Sequence, residues 1–124
     1  MKIIVCTLRI GDYYREITKY SARNKAEYCA KHGYDLVDQL TLLDSNKIPH
    51  WNKMLLVKEL LPNYDYVVWM DADLYIMNLE IKLEDIIDKY KDCNKDIFVS
   101  SDIGMTNTGV MFFKNTIDTE RFLH

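Results

Sequence analysis

Apolar and polar stretches alternate along the chain with two different periods, and the switches between them mark its elements. Ile3 to Leu8 is an apolar, β-branched run, as expected of a buried parallel strand. Gly11-Asp12 marks a loop. From Glu16 to His32 the period turns helical and closes with Gly33 in the C-cap position. On that helix Ile17, Tyr20, Ser21, Asn24 and Tyr28 share one face, with Ala22, Ala26, Cys29 and Ala30 beside it. Tyr34 to Val37 reads as a second strand, and Leu40 to His50 as a polar loop crossing the top of the sheet. Trp51 to Leu61 has the pattern of a short amphipathic helix stopped by Pro62. Tyr66 to Met70 is the strongest strand signal and runs straight into Asp71-Ala72-Asp73. Leu83 to Tyr90 predicts a helix with Ile86 and Ile87 inward. Asp96 to Ser100 and Val110 to Phe113 predict two further strands, and Thr119 to His124 opens a helix. Strands alternating with helices imply an α/β fold, a mainly parallel sheet with helices on both faces, in a single domain over 1–124.

Composition narrows the class without naming a function. The chain has 124 residues, 48% of them apolar and 28% charged, which fits one globular domain with one core. The net charge of −3 provides no general attraction to nucleic acid, and no stretch reaches membrane-spanning length. Cys6, Cys29 and Cys93 are odd in number and lack metal-site or redox spacing, so free thiols and a cytoplasmic location are expected. The N-terminal apolar run is too short for a signal peptide and is interrupted by Arg9.

Candidate chemistry concentrates at Asp71 and Asp73. In a parallel α/β sheet, ligands bind beyond the carboxyl ends of the strands. Alternation along an extended backbone sends side chains at i and i+2 to the same side. Two carboxylates there form a hard, oxygen-rich site suited to Mn²⁺ or Mg²⁺, with water and substrate phosphates completing the shell. The plain alternative is a strand end whose carboxylates solvate a turn. A third reading is a haloacid-dehalogenase-like phosphatase, in which the first Asp of such a motif is a nucleophile. That motif usually has Thr or Val two residues after the second Asp, where this chain has Tyr75, and it usually lies on the first strand.

Four blocks in order resemble glycosyltransferase family 34, the galactosyl/xylosyltransferases, and the related family 8. They are Asn24-Lys25 with His32-Gly33-Tyr34, Trp51-Asn52-Lys53, Trp69-Met70-Asp71-Ala72-Asp73, and Asn107-Thr108-Gly109 followed by Val110-Met111-Phe112-Phe113. The resemblance implies a Rossmann-like GT-A fold that binds a nucleotide-sugar, a UDP-sugar above all, together with Mn²⁺ or Mg²⁺. On that reading Asp71 and Asp73 hold the metal, with Ala72 between them against the donor. Lys53 reaches a phosphate oxygen, or is a solvated surface lysine. Thr7 and Arg9 follow the first strand, where this fold usually holds the nucleoside; Arg9 pairs with a phosphate or stays on the surface. Tyr13 and Tyr14 lie on the next loop and either stack on uracil or cover the core edge. Asn107, Thr108 and Gly109 line the sugar end of the pocket, or form an ordinary turn. Asp102, on a loop after the fourth strand, orients an acceptor or sugar hydroxyl, or serves as a turn residue. Asn24 is read as a buried structural amide and Trp51 as a packing residue.

The resemblance also implies a reaction with retention of anomeric configuration and a glycan or other hydroxyl acceptor. Family members usually continue past the Asn-x-Gly strand and commonly supply a His as third metal ligand. Here the chain reaches His124 inside its last helix, and neither His32 nor His50 matches that place. Two function classes follow: an active glycosyltransferase, or a nucleotide-sugar-binding module without turnover. A homodimer is a further expectation for a short fold that leaves apolar surface exposed.

Overall fold

The computed structural model describes the backbone of residues 1–102 and 105–124, and the side chains of these except at 49, 100–102 and 105–108. Its elements are β1 (Ile3–Leu8), α1 (Asp12–Ile17), α2 (Lys19–His32), β2 (Asp35–Gln39), α3 (Pro49–Leu60), β3 (Tyr66–Met70), α4 (Leu83–Tyr90), β4 (Ile97–Asp102), β5 (Met105–Lys114) and α5 (Ile117–Leu123).

Among the described residues the strands form one sheet in the order β2-β1-β3-β5-β4. β1 pairs in parallel with β2 and with β3, whereas β5 runs antiparallel to both β3 and β4. Four strands therefore point one way, and β5 returns between two of them. The short span between β4 and β5 permits only an antiparallel pair, because a parallel return needs a crossover of a dozen or more residues.

Alternation on the central strands sorts the core into two layers. Ile3 and Val5 of β1 and Val68 and Met70 of β3 pack with Tyr28 and Cys29 of α2 and with Leu83 and Ile87 of α4. Ile4, Cys6, Val67 and Trp69 face the other way, onto Leu56 and Val57 of α3, with Leu61 after it and Leu123 of α5 at the margin. Every residue of β1 and β3 is buried, as expected of strands covered on both faces. Each large apolar side chain in these layers contributes about 1.5–3 kcal/mol through burial.

Several boundaries differ from the sequence reading for local reasons. The helix expected from Glu16 is two helices, broken at Thr18. Thr18 Oγ1 donates to the Tyr14 carbonyl at 2.6 Å, and Arg9 Nη1 takes the Arg15 carbonyl at 3.1 Å, drawing off acceptors of the last turn. Tyr13 and Tyr14 consequently lie on α1 rather than on a loop. The break also rotates the expected face: Ser21, Asn24, Lys25, Tyr28 and Cys29 are buried, while Ile17 and Tyr20 are 54% and 64% exposed. Helix α3 starts two residues early, with Pro49 in its first turn, where a missing N–H costs nothing. Trp51, expected to pack, is 58% exposed. Asn107-Thr108-Gly109 belongs to β5 rather than to a turn before it, and Asp102 to the end of β4 rather than to a loop. No described helix is long and apolar enough to cross a membrane.

Candidate functional site

The order β2-β1-β3 places the reversal of strand order between β1 and β3, and the crevice outside their carboxyl ends is where such sheets bind ligands. Thr7 and Arg9 reach that edge from β1, and Asp71 and Asp73 from β3.

Asp71 keeps the strand's alternation. Its Oδ1 accepts from the indole N–H of buried Trp69, two residues earlier, at 2.7 Å. Its own N–H is taken by the Gly109 carbonyl of β5 at 2.8 Å. That bond continues the antiparallel β3–β5 register, in which Met70 stands opposite Val110, while the neighbouring β4–β5 register slips between Val99 and Ser100, whose partners are Met111 and Asn107. Irregular ladders of this kind re-aim a strand beside a site.

Past Asp71 the extended backbone stops. The Leu74 N–H closes a turn onto the Asp71 carbonyl at 3.1 Å, so a turn, and not strand alternation, sets where Asp73 lies. Both carboxylates nevertheless act on the same neighbours: Asp73 and Asp71 each stabilise the Lys25 ammonium, and each, after burial, raises the Tyr14 hydroxyl above its ordinary pKa. Asp71 is partly exposed and Asp73 exposed, as a site open to ligand requires.

The turn and the irregular stretch after it hang from one face of α2. Ser21 Oγ donates to the Ala72 carbonyl at 2.6 Å, and the Lys25 ammonium donates to Ala72 at 3.0 Å and Leu74 at 2.6 Å. Asn24 grips Ile76 with both ends of its amide, donating to its carbonyl at 3.0 Å and accepting from its N–H at 2.6 Å. Further along, Tyr28 donates to the Ile81 carbonyl and the His32 ring meets the Leu79 carbonyl. Backbone groups without a strand or helix partner are thereby satisfied by helix side chains. Asn24 thus has the structural role expected of it. Ser21 and Lys25 are the residues that sequence reasoning missed as supports of the carboxylate turn, although Ser21 was already placed on the inner face and Lys25 stood in the first family-like block. Burial lowers the Lys25 pKa to about 8, against attraction from Asp73.

Lys53 approaches from the opposite layer. It is buried, with Nζ 3.6 Å from Asp71 Oδ1 and 4.9 Å from the centre of the Trp69 ring. Burial lowers its pKa, and Asp71 opposes the shift. Its neighbour Asn52, fully buried, holds the loop before α3 through Asp44 N–H and the carbonyls of Asp44, Lys47 and Ile48. The Trp51-Asn52-Lys53 block therefore combines a loop anchor with a cation aimed at the carboxylate.

Arg9 is engaged inside the fold. Its Nε and Nη2 bind Asp38 at 2.9 and 2.6 Å, which raises the guanidinium pKa, and its remaining nitrogen holds the end of α1. Thr7 is 1% exposed, and its Oγ1 has no hydrogen-bond partner among the described residues. Tyr13 is 79% exposed on α1. Ala72 is buried, and its carbonyl is the shared acceptor of Ser21 and Lys25. The side chains of Asp102, Asn107 and Thr108 lie outside the described residues. Among the described residues no three or more His, Cys, Asp or Glu side chains are grouped so that they could hold a metal ion between them. A cavity of about 490 Å³ lined by Lys2, Tyr34, Asp35 and Asp65 sits at the opposite, amino end of the strands.

Comparison with known proteins bears on the family and the fold. The sequence profile of the galactosyl transferase GMA12/MNN10 family matches residues 2–97. Probable glycosyltransferase 2 of Oryza sativa subsp. indica is 29% identical over 120 residues, covering 89% of this chain and 24% of that protein. Xyloglucan 6-xylosyltransferase 2 of Arabidopsis thaliana is 33% identical over 92 residues, covering 72% of this chain and 19% of that protein. The chain thus spans a quarter or less of the length of these relatives. A crystal structure of a glycosyltransferase involved in the glycosylation of the major capsid of PBCV-1 superposes with a TM-score of 0.78 at 19% identity. It covers 99% of this chain and 63% of that one, a likeness of fold. With the profile covering most of its length, the chain belongs to the galactosyl transferase GMA12/MNN10 family.

Proposed function

We propose that this chain is the donor-binding part of a metal-dependent glycosyltransferase, which moves a hexose or pentose from a UDP-sugar to a hydroxyl of a glycan acceptor with retention of configuration. The observation that carries the reading is the Asp71–Asp73 turn, held by α2 at the switch between β1 and β3, in a member of a galactosyl transferase family. The donor set fits a hard divalent ion, since two carboxylates leave room for water and phosphate oxygens, as Mn²⁺ and Mg²⁺ prefer. When bound, the ion supplies charge stabilisation for the departing diphosphate.

The chain's own residues do the rest. Lys53, 3.6 Å from Asp71, presents an ammonium to a phosphate oxygen. Gly109 lets the donor approach the backbone closely, and Asn107 and Thr108 supply groups that hydrogen-bond a sugar. Thr7, whose buried Oγ1 has no hydrogen-bond partner among the described residues, is assigned to the nucleoside end of the site beyond β1. Tyr13 offers an exposed ring for a base to stack on. Asp102 is assigned to the acceptor or sugar hydroxyl.

Titration of the chain with UDP, with and without Mn²⁺, tests the reading. Asp71→Asn/Asp73→Asn is the better control than alanine, because asparagine still accepts from the Trp69 indole. Metal-dependent UDP binding lost in that variant is the expected result; a folded wild-type chain that binds no UDP under any metal condition would overturn it. UDP-sugar turnover then separates a transferase from a module that only binds.

A further inference from the structure

We propose that Lys25 and Lys53 set the charge balance of this site, so that it takes a divalent cation and a nucleoside diphosphate together and holds either one alone weakly. The inference rests on the donor-site reading above and goes beyond it, to what makes the two ligands interdependent.

The two lysines reach the carboxylate turn from opposite layers of the fold. Lys25, on α2, is 0% exposed and tied to the carbonyls of Ala72 and Leu74, on either side of Asp73. Lys53, on α3, is 5% exposed and 3.6 Å from Asp71 Oδ1. Arg9 and Asp38 form a closed pair and add no net charge. Among the described residues the turn therefore carries two carboxylates between two ammonium groups, a balance of zero.

That balance decides what the site accepts. A bare divalent cation leaves two surplus positive charges beside ammonium groups that are too buried for water and salt to screen well. A diphosphate arriving alone places negative charge against two carboxylates. Together the two ligands nearly cancel, so each improves the other's binding by the same factor. Lys25 cannot readily swing away to relieve the first case, because its side chain is buried and its ammonium is held by two backbone carbonyls.

The test is Mn²⁺ binding, followed through loss of the free-ion electron paramagnetic resonance signal with and without UDP, with the protein-free Mn²⁺–UDP equilibrium subtracted. Wild type is compared with Lys25→Met and Lys53→Met, each checked for folding by circular dichroism. In wild type, UDP is expected to tighten Mn²⁺ by about tenfold or more. Either methionine variant is expected to bind bare Mn²⁺ about threefold or more tighter, and to lose a similar factor of coupling. The sign is decisive. A lysine that only props up the turn predicts weaker bare-ion binding on its removal, and that result overturns the proposal. If Lys25→Met does not fold, Lys53→Met carries the same sign test. Mn²⁺ and UDP binding wild type independently would sink this inference while leaving the donor site standing. A wild type that binds neither ligand removes both.

Discussion

Asn24→Ala tests whether helix α2 holds the stretch beyond the carboxylate turn. Asn24 is 4% exposed, and its amide makes two hydrogen bonds to one residue, at 3.0 Å to the Ile76 carbonyl and 2.6 Å from the Ile76 N–H. A typical hydrogen bond is worth about 1 kcal/mol net, and a partner left buried and unpaired costs about 1–3 kcal/mol. Ile76 is only half-buried, so water replaces part of what is lost. The expected cost is therefore about 2 kcal/mol, below the sum of two full penalties. For a domain of this size that lowers Tm by roughly 6–12 °C and leaves the protein folded at room temperature. Thermal denaturation followed by circular dichroism measures the total, and amide hydrogen exchange locates it. Protection should fall first at Ile76 and its neighbours, and β1 and β3 should keep theirs. A loss under about 0.5 kcal/mol with the Ile76 amide still protected would refute the reasoning, because the loop would then be held without the α2 face.

Two further outcomes follow from burial. Cys6 and Cys29 are 0% and 2% exposed and burial raises both thiols, Cys29 to about 12, whereas Cys93 is exposed. A thiol reagent at neutral pH should therefore add one label rapidly to the native chain, read by intact mass, and a second rapid label would contradict the packing. Lys25 titrates at about 8 in the folded chain, below its ordinary 10.5. Between those values the unfolded chain holds a proton that the folded chain has released, so this group adds stability as pH rises from 8 to 10.5. The stability difference between wild type and Lys25→Met should grow over that window, by something on the order of 3 kcal/mol in urea denaturation. A flat difference would mean that the amine is not desolvated.

The carboxylate motif, the family and the α/β class were all legible in the chain, because each is written in short-range terms. Apolar runs of five or six residues can be satisfied only by burial on both faces, and β1 and β3 lie where those runs do. Gly33 closes α2 in the left-handed conformation that its position required. What the pattern could not carry was the antiparallel return of β5, which places Gly109 against Asp71, because strand direction depends on pairing partners remote in sequence. The break at Thr18 was hidden too, since Arg9, outside the helical period, helps to make it.

The same division runs through the site. The sequence by itself determined that two carboxylates stand just past a buried strand, with a lysine and an Asn-x-Gly segment in a recognisable order. Only the tertiary structure decided that the carboxylates sit on a turn, that α2 suspends that turn by Ser21 and Lys25 and the stretch after it by Asn24, and that Arg9 is held by Asp38. It also decided that two buried lysines flank the turn from opposite layers. The physical reason is that periodicity reports which side chains leave water. What a buried polar group bonds to is settled by backbone carbonyls some fifty residues away, such as Ala72 beneath Lys25 at a separation of 47, and those become neighbours only when the sheet closes.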